Sequence, residues 1–451
     1  MFKQSILYTA LVAFSLTTGS VVAAITAEEA SRLGNDLTPV GAEKGGNADG
    51  TIPAWTGGLT DPLPSWPNAN NDRPNPYADD PIQFTITAAN MDQYADKLPE
   101  IAKAMLKAKP DQFKMNIYPT RRTAAFPEEY YSRTKENAQK AKLINDGNGV
   151  ENVWGAIPFP IPKNGNDVIW NHLLRYKGVT VEGFSGEELV YDNGNRLQWN
   201  GPNEIHHPFQ DPGDDKAQAE GTILRFSLTA SEPTRDKGEG TLAIDNIDPV
   251  STPRKAWSYD PGERRVRRAP TLNFDTPDRP ITVFDDWDLF NGSPEKYDFK
   301  LIGKREMYIP YNNNKINSPS IDRKATFAPG YIDPDLLRYE LHRVWVVEAS
   351  VKEGVRHLYA KRRFYVDEDN WTIIAADKYD GAGNLWRGAF YYPVVASEIP
   401  VSTYGVSAHI DLKTNGYYVV NHSAGTKGWV FNVKPRPVSY FTSSALRRRG
   451  R

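Results

Sequence analysis

Residues Leu341–Pro393 read LHRVWVVEASVKEGVRHLYAKRRFYVDEDNWTIIAADKYDGAGNLWRGAFYYP. The stretch is rich in Val, Ile, Trp, Tyr and Phe, residues that suit a pleated, half-buried surface. Short segments of Asp, Asn, Glu and Gly interrupt it, and these residues favour tight turns. The pattern predicts an array of antiparallel strands, with runs at Arg343–Lys352, Arg356–Val366, Trp371–Tyr379 and Leu385–Tyr392.

The alternation within these strands indicates that both faces of the sheet carry apolar residues. In the first run, Trp345 and Val347 share one face, whereas Val344 and Val346 point to the other. An antiparallel sheet normally exposes one face to water, so a partly apolar second face is covered by other elements or lines a cavity. For a cavity, the residues expected to contact an apolar ligand are Trp345, Val347, Leu358, Phe364 and Ile373.

The composition excludes some classes of function. The chain has 451 residues, 39% of them hydrophobic, which is enough to bury the core of one large or two medium domains. A formal net charge of −2 gives no reason to expect a nucleic acid as a partner. The chain has no Cys, so its stability must come from the core rather than from disulfides.

The N-terminus has the pattern of a secretory signal peptide. Lys3 precedes an apolar run from Ile6 to Thr17, and Val22-Ala23-Ala24 fits a small-residue cleavage site after Ala24. The run is too short to span a membrane. We therefore expect export to the periplasm and removal of residues 1–24, after which no segment spans a membrane.

The N-terminal third favours helices and irregular loops. Helical spacing or helix-start residues predict helices at Ala27–Asn35, at Thr87–Lys107 with a break at Pro99, and at Glu128–Ile144. Residues 37–58 are dense in Gly, Pro, Asn and Asp, which excludes a regular element. Either this segment is a mobile linker or, as Ile52 and Trp55 favour, it is ordered and pinned by Trp55.

Beyond Gly178 the chain is predominantly β. A further helix is predicted just before this residue, at Asp167–Tyr176. The predicted strands after it are Val179–Phe184, Glu188–Tyr191, Leu197–Trp199, Gly221–Ala230, Gly240–Ile244, Arg254–Tyr259, Arg264–Arg268, Tyr297–Pro310, Val401–Val406 and Tyr417–Val420. Residues 285–290 predict one or two helical turns, and residues 446–451 a basic tail. We expect an α+β fold in which a large antiparallel sheet twists and curls around helices. The predicted division is 1–24 signal peptide, 25–149 helix- and loop-rich segment, and 150–451 antiparallel β domain.

Signatures of catalysis are weak throughout the sequence. His206 and His207 would point to opposite faces of a strand, and residues 183–187 lack the last Gly of a nucleophile elbow. Residues 377–384 resemble a calcium loop but lack its alternating ligands and closing Glu. We expect no metal, no cofactor and no catalytic residue, while paired carboxylates of a glycosidase cannot be recognised from sequence.

Four arginines form a basic cluster in a predicted hairpin. Arg264, Arg265, Arg267 and Arg268 would lie on both faces of one strand, which is typical of a sheet edge or a protruding hairpin. The cluster is either a solvated, ion-paired edge or a docking patch for an acidic partner or anionic head groups.

Several of these stretches resemble one known family. LTPVGAEKGGNADGTIPAWTGG, PFPIPKNGNDVIWNHLLRYKG, KAWSYDPGERRVRRAPTLNFDTP and the stretch from His342 to Arg387 are similar to domain-of-unknown-function family 1329, exported proteins of Gram-negative bacteria. The second half also resembles the outer-membrane lipoprotein-sorting superfamily of LolA and LolB. That likeness implies an unclosed antiparallel barrel around helices, with acyl chains held in an apolar cavity. Family members are thought to accompany exporters of the resistance-nodulation-division type, although this chain is about twice the length of the simple carriers.

Three functions follow as hypotheses. The first is a periplasmic, non-catalytic carrier or accessory protein that binds a lipid-like hydrophobic molecule and serves envelope transport. The second is a periplasmic adaptor or scaffold for such an exporter or for an outer-membrane protein. The third is a hydrolase or a carbohydrate-binding protein, because exposed Trp and Tyr side chains stack on sugars.

Overall fold

One large sheet organises the structure, a computed structural model that describes residues 25–268 and 275–450. The signal-peptide prediction falls on residues 1–24, outside the described residues. The strands are β1 (Phe84–Ile86), β2 (Met115–Ile117), β3 (Lys142–Ile144), β4 (Gly149–Glu151), β5 (Thr180–Tyr191), β6 (Arg196–His206), β7 (Thr222–Thr229), β8 (Gly240–Asn246), β9 (Lys255–Asp260), β10 (Arg265–Arg268), β11 (Pro277–Arg279), β12 (Thr282–Val283), β13 (Tyr297–Pro310), β14 (Phe327–Ala328), β15 (Tyr331–Ile332), β16 (Tyr339–Val351), β17 (Lys361–Asp367), β18 (Ile373–Tyr379), β19 (Leu385–Ala396), β20 (Val401–Asp411), β21 (Gly416–His422) and β22 (Val430–Phe431).

Helices occupy less of the chain than strands do. The α-helices are α1 (Ala27–Ser31), α2 (Glu100–Ala108), α3 (Glu128–Lys140), α4 (Gly165–Leu174), α5 (Asp215–Glu220), α6 (Arg323–Thr326) and α7 (Ser443–Arg449). Short 3-10 helices include Met91–Lys97 and Phe284–Leu289. None of the helices in the described ranges has the length and apolar content needed to cross a lipid bilayer.

The sheet is open and almost wholly antiparallel. Among the described residues it has 16 strands in the order β1-β2-β16-β17-β18-β19-β20-β21-β5-β6-β7-β8-β9-β10, with β13 also paired to β16 and β22 to β5. The exception to antiparallel pairing is β2 with β16, which pair in parallel. The sequence-based prediction of an α+β fold with a large unclosed antiparallel sheet is confirmed.

The predicted strands match the structure closely, and two of them need a correction of extent, β17 and β5. The run predicted from Arg356 begins only at Lys361, because residues 352–360 form an irregular turn around Gly354, whose φ is +75°. The two runs predicted between Val179 and Tyr191 form the single strand β5. Gly183 and Gly186 lie within it because a Cβ there would be 2.6 Å from the Trp429 ring and 2.3 Å from the His422 ring.

Protein covers both faces of the central strands. Asp377 of β18 accepts hydrogen bonds from the backbone of α2, at 3.2 Å from Glu100 N and 2.8 Å from Ile101 N. The next residue, Lys378, points to the opposite face, where its Nζ lies 2.6 Å from Asp286 Oδ1. The apolar second face therefore packs against the chain's own elements at this point of the sheet.

The N-terminal segment is ordered and attached to the sheet. Trp55 Nε1 donates to Ala124 O at 2.9 Å, and Trp371 Nε1 of the β17–β18 turn donates to Val40 O at 3.0 Å. This confirms an ordered, irregular 37–58 segment. Strands β1 and β2 extend the sheet from before residue 150, and the predicted division at that residue stays a prediction.

Three predicted helical or tail segments have different extents. Residues 87–107 form a 3-10 helix and then α2, which starts after Pro99 because proline cannot donate a backbone hydrogen bond. Helix α3 ends at Lys140, and residues 142–144 form β3 instead of continuing the predicted helix. The predicted basic tail is helix α7, which is held on the sheet because Leu446 is buried with Leu242 and Tyr259.

Candidate functional site

A cavity of about 400 Å³ lies between strands β6–β9 and the segment 278–291. We call that segment the roof. The volume of the cavity falls within the range of roughly 300–1,000 Å³ that is usual for ligand pockets. The main lining residues are Lys177, Asn203, Ile205, His207, Leu224, Phe226, Leu228, Glu239, Thr241, Ala243, Arg254, Ala256, Ser258, Asp260, Asp278, Arg279, Phe284, Trp287, Asp288, Asn291, Tyr391, Tyr404 and Asn421.

The cavity lies inside a curl of the sheet. Tyr404 of β20 and Ala256 of β9 both line it, although six strand spacings separate β20 from β9 in the sheet order. In a flat sheet, six spacings of about 4.8 Å would put these strands roughly 29 Å apart. The sheet must therefore curl to bring them to one cavity.

Strand register arranges the floor of the cavity in rows across β6–β9. The middle row is apolar, with Ile205 opposite Phe226, Phe226 opposite Ala243, and Ala243 opposite Ala256. The next row combines Asn203, Leu228, Thr241 and Ser258. Beyond it lie Glu239 and Asp260, both exposed, and we call this end the mouth.

The opposite end of the floor is charged and less exposed. Here Leu224 lies opposite Asp245, and Asp245 forms a two-point ion pair with Arg254 at 2.5 and 2.7 Å. Lys177 and Asp288 line the same end. We call it the inner end, because the side chains of Lys177 and Arg254 are 15% and 13% exposed.

Large apolar side chains on the floor are only half-buried. Leu224, Phe226 and Leu228 of β7 face the cavity and are partly exposed, whereas Arg225 and Ser227 between them are buried on the other face. Normally the apolar side chains of a strand are the buried ones. The inverted pattern indicates that apolar surface is held open towards the cavity.

Buried ion pairs attach the roof to the sheet. Arg362 contacts Asp285, Lys378 Nζ lies 2.6 Å from Asp286 Oδ1, and the Tyr359 hydroxyl donates to Asp286 Oδ2 at 2.8 Å. Burial lowers the pKa of Lys378 to about 8. Burial opposes ionisation of Asp286, yet Lys378 and Arg362 hold its pKa below the usual range. The roof is thus fixed by charge rather than by a continuous sheet.

A second set of charges holds the roof where its backbone bends. Asp288 has a φ of +55°, in the left-handed region, and its carboxylate contacts both Arg175 and Lys177. Burial raises the pKa of Asp288, but the two cations outweigh it and hold the pKa below its usual value. Burial also lowers the pKa of Lys177, against the attraction of Asp288.

His207 is the histidine of the cavity lining, and it has no catalytic partner among the described residues. Its Nδ1 lies 3.0 Å from Gly178 O, and its Nε2 lies 3.4 Å from the Tyr404 hydroxyl. Burial and the nearby Lys177 hold its pKa well below the usual value, so the ring is neutral at pH 7. Neither a carboxylate nor a Ser or Thr hydroxyl of the described residues bonds this ring.

A buried set of potential metal ligands lies outside the cavity. Donor atoms of His342, Asp367 and Asp369 lie within 4.8 Å of one another. Arg122 donates to both oxygens of Asp369 at 2.9 and 2.6 Å, and the Tyr311 hydroxyl donates to Asp367 at 3.1 Å. These contacts make the set part of a hydrogen-bond and ion-pair network. Burial and the adjacent Asp369 raise the pKa of Asp367.

The five residues predicted to contact an apolar ligand occupy other places. Val347, Phe364 and Ile373 are fully buried in the main core, and Trp345 is half-buried with its ring stacked on Trp371 at 6.4 Å. Leu358 lies in the turn before β17 and is 39% exposed. None of the five is among the residues that line the cavity between the described strands and the roof. Their role in binding stays a prediction.

The predicted docking patch lies at the free edge of the sheet. Arg264 is in a turn with φ +52°, and Arg265, Arg267 and Arg268 are exposed on β10. Arg267 forms an ion pair with Glu263. The edge position fits the sequence-based expectation, and docking through these residues stays a prediction.

Sequence reasoning missed the residues that line the cavity. The signal was present in β7, where Leu224, Phe226 and Leu228 alternate with polar residues. Such alternation is equally typical of a strand packed on a core. The burial difference that identifies a cavity depends on the roof, which begins 50 residues after Leu228.

Comparisons with known proteins agree on one family. The model of "Protein of unknown function (DUF1329)" matches residues 85–447. The uncharacterized protein PA3922 of Pseudomonas aeruginosa is 41% identical over 451 residues, which cover 99% of this chain and 98% of that protein.

Two crystal structures are similar to parts of this chain. A DUF1329 family protein from Desulfovibrio piger matches with a TM-score of 0.39 and 16% identity, covering 60% of this chain and 92% of that one. The LolA superfamily protein NE2245 from Nitrosomonas europaea matches with a TM-score of 0.38 and 12% identity, and the match covers 63% of this chain and 100% of that one.

Proposed function

This chain belongs to the DUF1329 family, and we propose that it is a non-catalytic carrier or accessory protein of the cell envelope that binds a lipid-like molecule in the cavity under the roof. The observation that carries the proposal is the set of half-buried apolar side chains of β7 that face the cavity, Leu224, Phe226 and Leu228. The signal-peptide pattern of residues 1–24 supports a periplasmic location.

Burial of an apolar chain would supply enough binding energy. A chain that buries about ten methylenes would gain roughly 8 kcal/mol at 0.8 kcal/mol each. Part of this gain offsets the freedom that the ligand loses on binding. The roof residues Phe284 and Trp287 would cover the ligand, and the Phe226 ring already lies 6.3 Å from that of Trp287.

The test uses two changes of the floor with different chemistry. Phe226→Asp places an unpaired carboxylate in the apolar row, and Ala243→Trp fills the same row with an indole. Both should weaken uptake of a fluorescent fatty acid by about tenfold or more, because one raises the polarity and the other removes the space. Ile302→Asp on β13 is the matched control, since Ile302 is 40% exposed and lies outside the lining.

Native mass spectrometry of the protein purified from its host provides the second measurement. We expect a co-purified hydrophobic molecule in the wild type and in Ile302→Asp, and its loss from both floor variants. Absence of any bound lipid together with no uptake of the fluorescent fatty acid would refute the carrier function.

An adaptor role has its own support in the exposed arginines of β10. An edge strand with Arg265, Arg267 and Arg268 exposed is suited to an acidic surface on an exporter or outer-membrane protein. Charge reversal of these three residues should abolish co-purification with such a partner while uptake of the fluorescent fatty acid remains. Unchanged co-purification would exclude this surface.

A further inference from the structure

The inner end of the cavity carries more positive than negative charge. Lys177 Nζ lies 3.2 Å from Asp288 Oδ2, while the other oxygen of Asp288 contacts Arg175. One carboxylate therefore serves two cations. The remaining pair at this end, Arg254 and Asp245, balances itself through its two-point contact.

Lys177 has capacity to bind a further acceptor. A lysine ammonium has three N–H donors, and in the part of the chain that the structure describes its hydrogen-bond acceptor is Asp288. Lys177 belongs to the lining of the cavity, so its ammonium group is within reach of a ligand there. The neutral ring of His207 and the hydroxyl of Tyr404 lie at the same end and supply no negative charge there.

From this arrangement we propose, resting on the carrier function proposed above, that the cavity selects amphipathic molecules with an anionic head group, carboxylate or phosphate, bound at Lys177. The tail would then lie along the apolar row of Phe226, Ala243 and Ala256 and continue past Leu228. Charge-assisted hydrogen bonds of this kind are roughly twice as strong as neutral ones.

The charge at the mouth favours this orientation. Glu239 and Asp260 lie three rows from the inner end, which is roughly 20 Å at about 6.6 Å for every two residues of a strand. The carboxylates of Glu239 and Asp260 are exposed at the mouth and lie close to that of Asp236, and burial and these neighbours raise the pKa of Glu239. Arg279 at this end is engaged by Glu187 at 2.9 Å. An anionic head group is repelled at the mouth and attracted at the inner end.

Lys177 could instead serve only to hold the roof through Asp288. A purely structural Lys177 would affect all ligands equally, whereas a head-group site distinguishes them by charge. The measurement must therefore compare ligands that share one tail and differ in the head.

The experiment measures displacement of the neutral fluorophore N-phenyl-1-naphthylamine by a fatty acid, an alkyl phosphate, a fatty alcohol and a fatty amine of equal chain length. In the wild type we expect the acid, the phosphate or both to bind at least about tenfold more tightly than the alcohol, with the amine weakest. The comparison of acid with phosphate identifies the head group.

Variants of Lys177 assign the preference to this residue. Lys177→Met should remove the advantage of the anion over the alcohol, while Lys177→Arg should keep most of that advantage. Lys216→Met on α5 is the control, because that side chain is 74% exposed. A urea midpoint within about 0.3 M of the wild type would show that the variants fold. If Lys177→Met shifts the urea midpoint by more than this, Lys177→Gln is used instead of Lys177→Met.

The possible outcomes separate the two proposals. Equal affinity for acid, phosphate and alcohol in the wild type would overturn the head-group inference and leave the carrier function standing. A preference for anions that survives Lys177→Met would overturn the assignment to Lys177. Failure of every amphipath to displace the fluorophore, in a protein that takes up no fluorescent fatty acid, would overturn the carrier function itself.

Discussion

Asp377→Asn should lower the stability of the protein at low pH and lose this disadvantage by neutral pH. Asp377 is fully buried on β18 and bonds the first backbone N–H groups of α2, with its Oδ2 also 2.7 Å from the Tyr365 hydroxyl. Burial raises the pKa of this carboxyl from 3.8 to about 6, against those hydrogen bonds. The shift of about 2 pKa units corresponds to about 3 kcal/mol.

The sign of the stability change with pH follows from the direction of the pKa shift of Asp377. Since the pKa is higher in the folded state than in the unfolded one, the stability that Asp377 contributes is present below about pH 4 and is lost as the pH rises through about 6. The Asn side chain does not titrate. It should cost about 1–2 kcal/mol at low pH, because its oxygen can accept from only one of the two backbone N–H groups and its NH2 group cannot accept from the other. By about pH 7 the variant should equal or exceed the wild type.

Urea unfolding followed by circular dichroism measures this difference. We expect the free energy of unfolding of the variant, relative to that of the wild type, to rise by roughly 2 kcal/mol between about pH 4 and pH 7. Asp298→Asn on β13 is the control, since Asp298 is exposed and should give parallel curves. Parallel pH profiles for Asp377→Asn would refute the argument that burial controls this carboxyl.

Three further changes test the packing around the central strands. Arg362→Met should lower the free energy of unfolding in urea by about 3–5 kcal/mol, because it leaves the buried Asp285 without its cation, whereas the half-exposed Arg363→Met should cost under about 1 kcal/mol. Gly388→Ala should lower the melting temperature and cost about 1–3 kcal/mol, because its Cβ would meet Ile101 Cγ1 at 2.3 Å, while Gly381→Ala, with nothing within 4 Å, should be tolerated. Trp371→Phe should speed proteolytic cleavage within residues 37–58, because it removes the hydrogen bond to Val40; unchanged cleavage would contradict that anchoring role.

Much of the sheet could be predicted because its strands carry a local signal. Strand β13 has the predicted bounds Tyr297–Pro310, and the turns after β17 and β18 fall at the predicted Asp- and Gly-rich segments. Glycines misled where they serve packing rather than turning. In the sequence, Gly183 and Gly186 predict an interruption of the strand. In the structure they keep β5 continuous, because they make room for the rings of Trp429 and His422.

The candidate site was less accessible from sequence because its character depends on distant contacts. Phe364 and Phe226 are both phenylalanines on apolar strand faces, yet Phe364 is fully buried against Phe290 and Phe226 is half-open to a cavity. The difference arises from where the roof lies. Its position depends on ion pairs between Asp286 and Lys378, which are 92 residues apart in the chain.

The second face of the Leu341–Pro393 strands packs against the roof at β17 and β18. There the face opposite α2 carries Arg362 of β17 and Lys378 of β18, which bind the aspartates of the roof. Those aspartates cannot leave without exposing buried cations, so the roof stays fixed above the central strands. Further along the sheet, the floor of β6–β9 meets the same roof through Phe226 and Trp287, and charged residues lie only at its two ends. The roof is thus fixed by ion pairs to the central strands and at Asp288, and it contacts the floor through the apolar side chains of Trp287 and Phe226.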